Sequence, residues 1–353
     1  MSSRRNTRLE VRAMARAGAR LRTLASTLAA CTLLTAAAPN IGQAASVEGE
    51  IVTLVSPNSA GGRMTRYARM IAPYIAKHSG AEEVRIRIMT GGGNIRGTNY
   101  VWFAPPDGKT IALTSIPSLI LAQLSGSDAV QFDATRFVYL GRVATEPRVL
   151  VVGANSSIMT VDDARNLGRP FVFPSQGTDE DFYSMAVLAE AIGIELKVIS
   201  GYNGNADTAL AVIKGDGDGH ITSWEASMAP IEAGDERPIL ALANSRNESF
   251  PDVPTATELV TAESREAVQA LVNMLDMHRG FFAPPGLDPI ATAELRQAIS
   301  AAFLDPDLVA EAKAQGLPLV PSDGENEQRK IGQITAASEI IVPILREALE
   351  SIR

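Results

Sequence analysis

Short apolar runs alternate with glycine-rich loops and helical stripes along most of the chain. The clearest example spans residues 84–114, where the apolar run Val84–Ile88 precedes Thr90–Asn94, a loop with three glycines. A helical stripe then covers Ile95–Ala104, and a second apolar run, Thr110–Leu113, follows a Pro-Pro-Asp-Gly turn. A strand, a helix and a strand within about thirty residues form a βαβ unit. The pattern therefore predicts parallel strands with a glycine loop where the helix begins.

The chain immediately before this stretch has the same order. The apolar run Ile51–Val55 is followed by a loop, Ser56–Gly62, and then by a helical stripe that ends at Gly80. Parallel strands bring their carboxyl ends to one edge of a sheet, which is where open α/β sheets bind ligands. The first N–H groups of each helix have no partner within the helix, so they can receive an anion. Both loops are therefore predicted at one ligand-binding edge.

The rest of the chain repeats the alternation of strand and helix. Further strands are predicted at Phe137–Leu140, Val149–Val152, Phe171–Phe173, Leu196–Ile199, His220–Trp224 and Ile239–Ala243. Helices are predicted at Asp179–Ile192, where Thr178 and Asp181 form a variant capping box, and at Ala206–Lys214. The chain ends in helices predicted at Ala291–Phe303, Leu308–Ala314 and Gln328–Ser351. Tandem α/β blocks with a helical tail predict two lobes around a cleft.

The beginning of the chain has the pattern of a secretory signal peptide. Residues 1–22 carry seven arginines and one acid, Glu10. The uncharged apolar run Leu24–Ala38 follows, and Gly42–Ser46 offers the small residues that a signal peptidase requires. The apolar run is too short to span a bilayer comfortably. Residues 1–45 are therefore predicted to be removed on export to the periplasm.

Two alternatives concern this segment. The basic region that begins at Met14 suffices for a signal peptide, so translation from Met14 instead of Met1 is an alternative start. Leu28–Cys31 resembles a bacterial lipobox, which would place a lipid anchor on Cys31. The apolar run continues beyond Cys31 to Ala38, which favours ordinary cleavage and a secreted protein.

Charge and cysteine content narrow the function classes. Without residues 1–45 the chain keeps 25 basic and 39 acidic residues, so its formal net charge falls from −8 to −14. An acidic protein without a basic block is a poor partner for nucleic acid. Cys31 is the only cysteine, so the mature chain has no disulfide, no thiol nucleophile and no cysteine-based metal site.

The motifs that suggest a cofactor do not complete their patterns. Gly91–Gly97 has Arg96 where a dinucleotide fingerprint needs glycine, and it lacks the Gly-Lys-Ser/Thr of a P-loop. Asp216–Gly219 is only a fragment of a calcium loop, which a plain turn also explains. The three histidines, His78, His220 and His278, are not at metal-ligand spacing. We therefore predict no cofactor and no metal. The glycine loops are interpreted as sites for an anion or another polar ligand, with a ligand-free tight turn as the alternative.

Several pieces of the sequence together resemble one family. They are Val55–Gly62, Gly92–Ile95, Pro106–Thr110, Gly201–Gly204, Phe250–Thr255 and Gly280–Gly286. In this order and spacing the chain resembles the extracytoplasmic solute-binding proteins of tripartite tricarboxylate transporters, also called the Bug family, over about residues 48–350. The resemblance implies an α/β, two-lobed periplasmic-binding-protein-like fold of type II with a ligand cleft between the lobes. It implies that residues 46–147 plus 279–353 form lobe 1 and that 148–278 form lobe 2.

The resemblance also implies how a ligand is held. Family members bind a small carboxylate with the N–H groups of the first two glycine loops, and the second lobe contributes the loops at residues 175–178 and 202. Tyr202 and Trp224 are aromatic residues at strand ends, which can wall off a small ligand, although ordinary partial burial explains them equally well. The predicted ligand-binding residues are Ser59, Ala60, Gly61, Gly62, Gly91, Gly92, Gly93, Asn94, Ser115, Ser175, Gln176, Gly177, Thr178, Tyr202 and Trp224.

The predicted function is therefore binding without catalysis. The resemblance implies a monomeric periplasmic receptor that delivers a small carboxylate-bearing metabolite to integral membrane permease subunits. The chain differs from the family pattern at Met64, where aspartate is usual, and at Asp179–Asp181, where small residues and serine are usual. Because of these acids, an amino compound paired to Asp179 or Glu180 is an alternative ligand. A sensor partner of a signalling receptor and a periplasmic enzyme in the same cleft are the alternative functions.

Overall fold

The structure is a computed structural model, and it describes residues 47–352. The predicted signal peptide, the alternative start at Met14 and the alternative lipid site at Cys31 lie outside the described residues. Within the described part of the chain, no helix is long and apolar enough to cross a bilayer.

Strands and helices alternate along the described chain. Its first part contains β1 (Ile51–Ser56), α1 (Arg63–Ser79), β2 (Glu83–Ile88), α2 (Ile95–Trp102), β3 (Thr110–Thr114), α3 (Ile116–Leu124), a 3-10 turn (Ala134–Arg136) and β4 (Val138–Arg142). The middle contains β5 (Arg148–Gly153), α4 (Val161–Arg165), β6 (Phe171–Ser175), α5 (Glu180–Ile192), β7 (Leu196–Ser200), α6 (Asn205–Lys214), β8 (Gly219–Ser223), α7 (Trp224–Ala233), β9 (Glu236–Leu242), α8 (Ala256–Leu259) and α9 (Ala262–Leu275). The last part contains β10 (Gly280–Ala283), α10 (Pro289–Phe303), α11 (Pro306–Ala314), β11 (Ser322–Asp323), α12 (Gly324–Ala337), a 3-10 turn (Ser338–Ile341) and α13 (Val342–Ser351).

A six-stranded sheet, with the order β11-β4-β10-β3-β1-β2, forms the larger lobe. β1 pairs in parallel with both β2 and β3, which confirms the predicted βαβ arrangement. Every residue of β3 is buried, as the continuous apolar run of a central parallel strand requires. Because these three strands run the same way, the loops that follow them lie at one edge of the sheet.

Two smaller sheets form the second lobe. One has the antiparallel order β8-β5-β9 and the other pairs β6 with β7 in parallel. All their strands come from residues 148–242, whereas the strands of the large sheet come from residues 51–142 and 280–323. The fold is thus a two-lobed α/β fold. The chain leaves the large sheet for the smaller sheets within residues 143–147 and returns to it within residues 243–279. The lobe boundaries predicted from the resemblance stay predictions.

Two apolar cores support this arrangement. The first lies between the large sheet, α1 and α10, and includes Leu54, Ile71, Phe281 and Ile299. The second is continuous across both lobes, because Leu119, Phe282, Phe182, Leu271 and Leu345 belong to the same apolar cluster. Fully burying a leucine or phenylalanine side chain contributes about 1.5–3 kcal/mol. The lobes are therefore tied by apolar packing as well as by the two connecting segments.

The carboxyl-terminal region departs from the sequence prediction. The single helix predicted over Gln328–Ser351 is wrong, because the chain divides there into α12, a 3-10 turn and α13. Pro343 lies in the first turn of α13, where its missing N–H is tolerated, while its ring excludes an unbroken helix through the preceding turn. α13 packs against α5, so the end of the chain contacts the second lobe.

Some elements had no clear signal in the sequence. Helix α3 was not predicted, and eight of its nine residues are buried, so it lacks the polar face that makes a helical stripe recognisable. Helix α5 begins at Glu180, and the side chain of Asp179 rather than Thr178 caps it by accepting from the Phe182 N–H at 3.0 Å. The predicted capping box of Thr178 and Asp181 is therefore wrong.

Candidate functional site

The first glycine loop, Ser59–Gly62, is a closed turn between β1 and α1. The Gly62 N–H donates to the Ser59 carbonyl oxygen at 3.0 Å, and the Thr65 hydroxyl lies 2.8 Å from the same oxygen. The Thr65 hydroxyl also lies 2.8 Å from the Ser56 hydroxyl at the end of β1. No side chain caps α1 at Gly62. The turn thus holds the start of α1 against the end of the strand.

The second glycine loop has an unusual backbone. Gly91, Gly92, Gly93 and Asn94 have φ values of 127°, 58°, 59° and 77°. Glycine adopts positive φ without steric cost, and asparagine tolerates it better than most residues. The loop leads directly into α2, whose start at Asn94 has no side-chain cap. The residue types of this loop are therefore those that its conformation requires.

Polar side chains fasten these loops to the end of β3. Asn58 donates its amide to Asn94 Oδ1 at 3.2 Å, and Thr114 donates its hydroxyl to Asn58 Oδ1 at 3.0 Å. Asn94 Nδ2 lies 3.5 Å from the hydroxyl of Ser118 in the first turn of α3. Ser115, a predicted site residue, caps that helix by accepting from the Ser118 N–H at 3.3 Å. The structure thus brings together the ends of three neighbouring strands.

The loops of the second lobe also lie side by side. Ser175 turns its hydroxyl onto Gly177, donating to the carbonyl at 2.9 Å and accepting from the N–H at 3.1 Å. The Tyr202 N–H donates to the Ser175 carbonyl at 3.2 Å. Gln176 reaches Asn205 at the start of α6, with 2.5 Å between amide nitrogen and oxygen. These contacts link the predicted loops that follow β6 and β7.

The loops of the two lobes meet at Gly93. A β-carbon on Gly93 would lie 2.3 Å from the carbonyl oxygen of Thr178 and 3.3 Å from the α-carbon of Asp179. No real β-carbon sits that close to a backbone oxygen, so only glycine permits this approach. The second glycine loop and the loop after β6 therefore touch where the two lobes meet.

We expect Gly93→Ala to destabilise the protein more than Gly92→Ala. Both positions have nearly the same positive φ, so backbone strain is matched. A β-carbon on Gly92 would meet only Ile95, at 3.7 Å, whereas one on Gly93 would overlap Thr178. Overpacking costs about 1–3 kcal/mol, which is the expected difference between the variants in free energy of unfolding, measured in urea. Equal losses would show that the inter-lobe contact contributes nothing.

Trp224 has different surroundings from the other predicted site residues. Its ring stacks on Phe250, with 5.1 Å between centroids and 15° between planes, and it belongs to a small apolar cluster with Val149 and Val253. Its backbone N–H donates to the carbonyl of Pro147 at 3.4 Å. No side-chain contact found among the described residues joins it to the loops. Its role as a ligand wall stays a prediction.

The acids after the second-lobe loop are buried and have different partners. Glu180 Oε1 accepts from Arg148 Nε at 2.8 Å and lies 2.7 Å from Arg148 Nη2, and Glu180 Oε2 accepts from the hydroxyl of Ser115. Nε2 of His278 lies 3.4 Å from Glu180 Oε2. Asp181 lies 3.6 Å from Arg148 Nε, and its Oδ1 is buried without a hydrogen bond. Glu180 is thus occupied by the chain itself, so it is not free for the amino compound considered above.

The two segments that connect the lobes supply the cations of this cluster. Glu146 lies in one segment and Arg148 begins β5 directly after it, and His278 and Arg279 end the other segment. Arg279 bonds Glu146 through Nη2, and His278 Nδ1 lies 2.9 Å from Glu146 Oε2. All four residues are buried. Together with Glu180 and Asp181 they form what we call the connecting ion cluster, which lies where the chain passes between the lobes.

Arg279 extends the connecting ion cluster to the first lobe. Its guanidinium lies 4.5 Å from the ring centroid of Tyr67 and 4.0 Å from the sulfur of Met64. A cation over an aromatic face gains electrostatic energy in a site from which water is excluded. The φ of Arg279 is 61°, which is rare for a residue with a side chain. Met64, where the family pattern has aspartate, thus packs on an arginine that Glu146 already neutralises.

The connecting ion cluster shifts the pKa values of its carboxyl groups in opposite directions. Burial disfavours ionisation of Glu180, but the charges of Arg148 and His278 outweigh it and lower its pKa to about 2. Burial likewise opposes the ionisation of Glu146, whose pKa is nevertheless well below its ordinary value beside His278, Arg279 and Arg148. Burial raises the pKa of Asp181 to about 7, because Arg148 compensates it only in part.

Two neighbours of these carboxyl groups also have shifted pKa values. Burial raises the pKa of Asp179 to about 6, although the Phe182 N–H stabilises its charge. Burial acts to lower the pKa of His278, but the charges of Glu146 and Glu180 prevail and raise it. Near neutral pH, Glu146 and Glu180 are therefore ionised, whereas Asp179 and Asp181 change their charge as the pH passes through the range from mild acid to neutral.

Sequence reasoning missed the connecting ion cluster. Its members lie at positions 146, 148, 180, 181, 278 and 279, so no local spacing reveals them. A weak signal was present, because Arg148 is the first residue of the apolar strand β5 and Glu146 lies two residues before it, and because His278 and Arg279 immediately precede β10. Charged pairs at the start of strands that are otherwise apolar indicate burial with partners.

One arrangement bears on the enzyme alternative. Thr208, His220 and Glu236 align as a hydroxyl, an imidazole and a carboxylate, with 3.4 Å and 3.0 Å between neighbouring atoms. All three are at most 4% exposed, so no substrate reaches the hydroxyl. The three groups have the order of a catalytic triad, but the buried hydroxyl cannot serve as its nucleophile. Among the described residues, no group of three or more histidine, cysteine, aspartate or glutamate side chains has the geometry for a metal ion.

A surface depression of about 700 Å3 lies elsewhere, between α10 and α12. Its lining includes Arg296, Gln328 and Arg329 and none of the predicted site residues. All its lining residues lie at position 138 or within residues 287–329. We therefore assign the candidate site to the facing loops and not to this depression.

Comparison with known proteins agrees with this fold. A UPF0065 protein from the tcbD-tcbE intergenic region of Pseudomonas sp. strain P51 is 27% identical over 271 residues, which cover 75% of this chain and 77% of that protein. The structure of MatC from Rhodopseudomonas palustris with bound malate is similar with a TM-score of 0.68 at 18% identity, covering 83% of this chain and 99% of that one. The structure of R. palustris Rpa4515 with adipate has a TM-score of 0.66 at 23% identity, covering 84% and 97%.

The family profile extends over most of the chain. The profile of the tripartite tricarboxylate transporter family receptor matches residues 67–344. This range includes the second glycine loop, both loops of the second lobe and all members of the connecting ion cluster. The chain belongs to the tripartite tricarboxylate transporter receptor family.

Proposed function

We propose that the protein is a periplasmic receptor that binds a small carboxylate-bearing metabolite between its lobes and delivers it to integral membrane permease subunits. One observation carries the proposal: the second glycine loop, after β2, meets the loop after β6 of the other lobe, with Gly93 against Thr178 and Asp179. Membership of the receptor family supports a solute as the ligand. Malate and adipate, the ligands in two similar structures, support a carboxylate.

The binding chemistry follows from the backbone of the loops. No side chain caps the start of α1 or α2, and the N–H groups of Ile95 and Arg96 fix the second loop by donating to the Gly92 and Gly91 carbonyls at 3.1 and 3.3 Å; the other N–H groups of the two loops are the proposed donors to the ligand. Such preorganised donors, together with the positive end of each helix dipole, attract a carboxylate without reorganisation. Closure of the lobes over the ligand would exclude water and present a surface that differs between the free and the bound receptor. We propose no catalytic step.

A thermal-shift series on residues 46–353 tests the proposal. Small carboxylates, among them malate, adipate and single-carboxylate acids, are compared with their neutral amides and with amines of the same length. We expect a carboxylate to raise the melting temperature and its amide to have no effect. At a ligand concentration of 100 Kd the stabilisation is about 2.7 kcal/mol. If amines shift the melting temperature and no carboxylate does, the proposed ligand class is wrong.

A matched pair of variants locates the binding. Gly92→Tyr places a large side chain over the second glycine loop, whereas Gly168→Tyr introduces the same residue at a similar positive φ (66°) with nothing within 4 Å of its β-carbon. We expect the first variant to lose affinity for the identified carboxylate and the second to keep it. Calorimetric titration measures both, and retained affinity in Gly92→Tyr would contradict the loop assignment.

A further inference from the structure

Ser115 and Arg148 together have the chemistry of an anion-binding pair, the name we use for these two residues. Ser115 caps α3, so its hydroxyl lies at the positive end of a helix of nine residues. Arg148 presents Nε and Nη2 toward the same place, and an arginine fork matches the geometry of a carboxylate. Ser115 and Arg148 are 4% and 7% exposed. A hydroxyl at a helix start and a buried guanidinium are the groups that bind carboxylates strongly.

The carboxylate of Glu180 is bound to this anion-binding pair. One of its oxygens accepts from Ser115, and the other accepts from Arg148 Nε at 2.8 Å and lies 2.7 Å from Arg148 Nη2. Glu180 itself is 3% exposed, and its low pKa beside Arg148 keeps it charged. The chain thus supplies its own anion, from the first residue of α5 in the second lobe, to groups at the end of β3 and at the start of β5.

The anion-binding pair lies close to the loops that meet at Gly93. Ser118, which Ser115 caps, lies 3.5 Å from the amide of Asn94 in the second glycine loop. Gly93 of the same loop touches the backbone of Thr178 and Asp179, immediately before Glu180. Glu180 therefore directly follows the backbone that the second glycine loop touches.

We propose that Glu180 is a specificity-determining residue: its carboxylate takes the place of a second ligand carboxylate, so the receptor selects ligands with one carboxylate. The inference rests on the proposed function, because it specifies the ligand class of the same site. A dicarboxylate would find Ser115 and Arg148 already bound, and its second charge would face an ionised glutamate in a site with little water. A monocarboxylate needs only the loops.

The test compares succinate with butyrate, which have the same carbon chain and differ by one carboxylate. Calorimetric titrations use residues 46–353 as wild type, Glu180→Ala, Glu180→Gln and the control Glu190→Ala, an exposed glutamate on the same helix. We expect the wild type and the control to prefer butyrate. In Glu180→Ala the ratio of succinate to butyrate affinity should rise at least tenfold. An unchanged ratio would overturn the inference. Glu180→Gln, which keeps the shape of the side chain, replaces Glu180→Ala if that variant does not fold, and its ratio should move the same way.

A second measurement separates this inference from the proposed function. Formate, a carboxylate small enough to enter the space of the deleted side chain, should raise the melting temperature of Glu180→Ala by several degrees more than it raises that of the wild type or of Glu190→Ala. If no carboxylate binds the wild type, the proposed function has failed. Stabilisation of Glu180→Ala by formate would still support anion binding by Ser115 and Arg148. If formate stabilises Glu180→Ala no more than it stabilises the wild type, the anion-binding role of Ser115 and Arg148 is overturned in either case.

Discussion

Replacing Arg148 with methionine should lower the free energy of unfolding by about 3–5 kcal/mol, the typical cost of removing one partner from a buried ion pair. Arg148 is buried and lies against three carboxylates, those of Glu180 at 2.7 Å, Asp181 at 3.6 Å and Glu146 at 3.7 Å. Methionine fills a similar volume without charge. The carboxylates would then remain in a site with little water and without their shared cation, which is why the loss exceeds that of an ordinary surface pair.

Urea denaturation at neutral pH measures this loss, and Arg169→Met is the matched control. Arg169 also binds a carboxylate through its guanidinium, that of Asp218 at 2.6 Å, but its side chain is 51% exposed. Water screens such a pair and solvates the partner left behind. We expect the control to lose far less stability than Arg148→Met. Similar losses in the two variants would mean that burial does not decide the strength of the ion pair.

A double variant shows where the loss comes from. In Arg148→Met the charge of Glu180 is stranded, whereas in Arg148→Met with Glu180→Gln that charge is also removed. If stranded charge causes most of the loss, the double variant should be more stable than the single variant, as expected for two residues in direct contact. A double variant less stable than the single one would point to lost packing instead.

Local pattern predicted most of the fold because the relevant forces act over short stretches. The glycine loop at Gly91–Asn94 was recognisable, since positive φ restricts the residue types that fit. The parallel strands β1, β2 and β3 were recognisable from apolar runs spaced by helices. Strand β10 was not predicted, because its four residues are too few for periodicity and its antiparallel pairing with β3 and β4 depends on the rest of the sheet.

The candidate site was predictable only in part. The loops were found from glycine content and from family resemblance, and their side-by-side position followed from parallel strands. The acids at Asp179–Asp181 were noticed, but their roles differ for reasons that sequence does not contain: Asp179 caps a helix, Glu180 meets Arg148 and Ser115, and Asp181 keeps an unbonded oxygen. Those partners lie more than thirty residues away, so only the folded chain assigns them.

The shifted pKa values give the connecting ion cluster a direction of pH dependence. A group whose pKa is higher in the folded state binds its proton more tightly there. Its contribution to stability is complete below the unfolded pKa and is lost as the pH rises through the folded one. Asp179, Asp181 and His278 are all of this kind. Glu146 and Glu180 are of the opposite kind, but their contributions are lost only below pH about 4.5, as the pH falls.

Stability should therefore fall as the pH rises from about 5 to about 8, and Asp181→Asn should remove more than half of that fall. The pKa of Asp181 is about 7 in the folded protein against an ordinary value of 3.8, which corresponds to a loss of roughly 2–3 kcal/mol over this range. Asparagine has the same shape and carries no charge at either pH. Urea denaturation at both pH values measures the slope for wild type, Asp181→Asn and the exposed control Asp252→Asn, which should keep the wild-type slope. If Asp181→Asn keeps it too, the carboxyl of Asp181 is ionised throughout this range, and the charges beside it outweigh its burial.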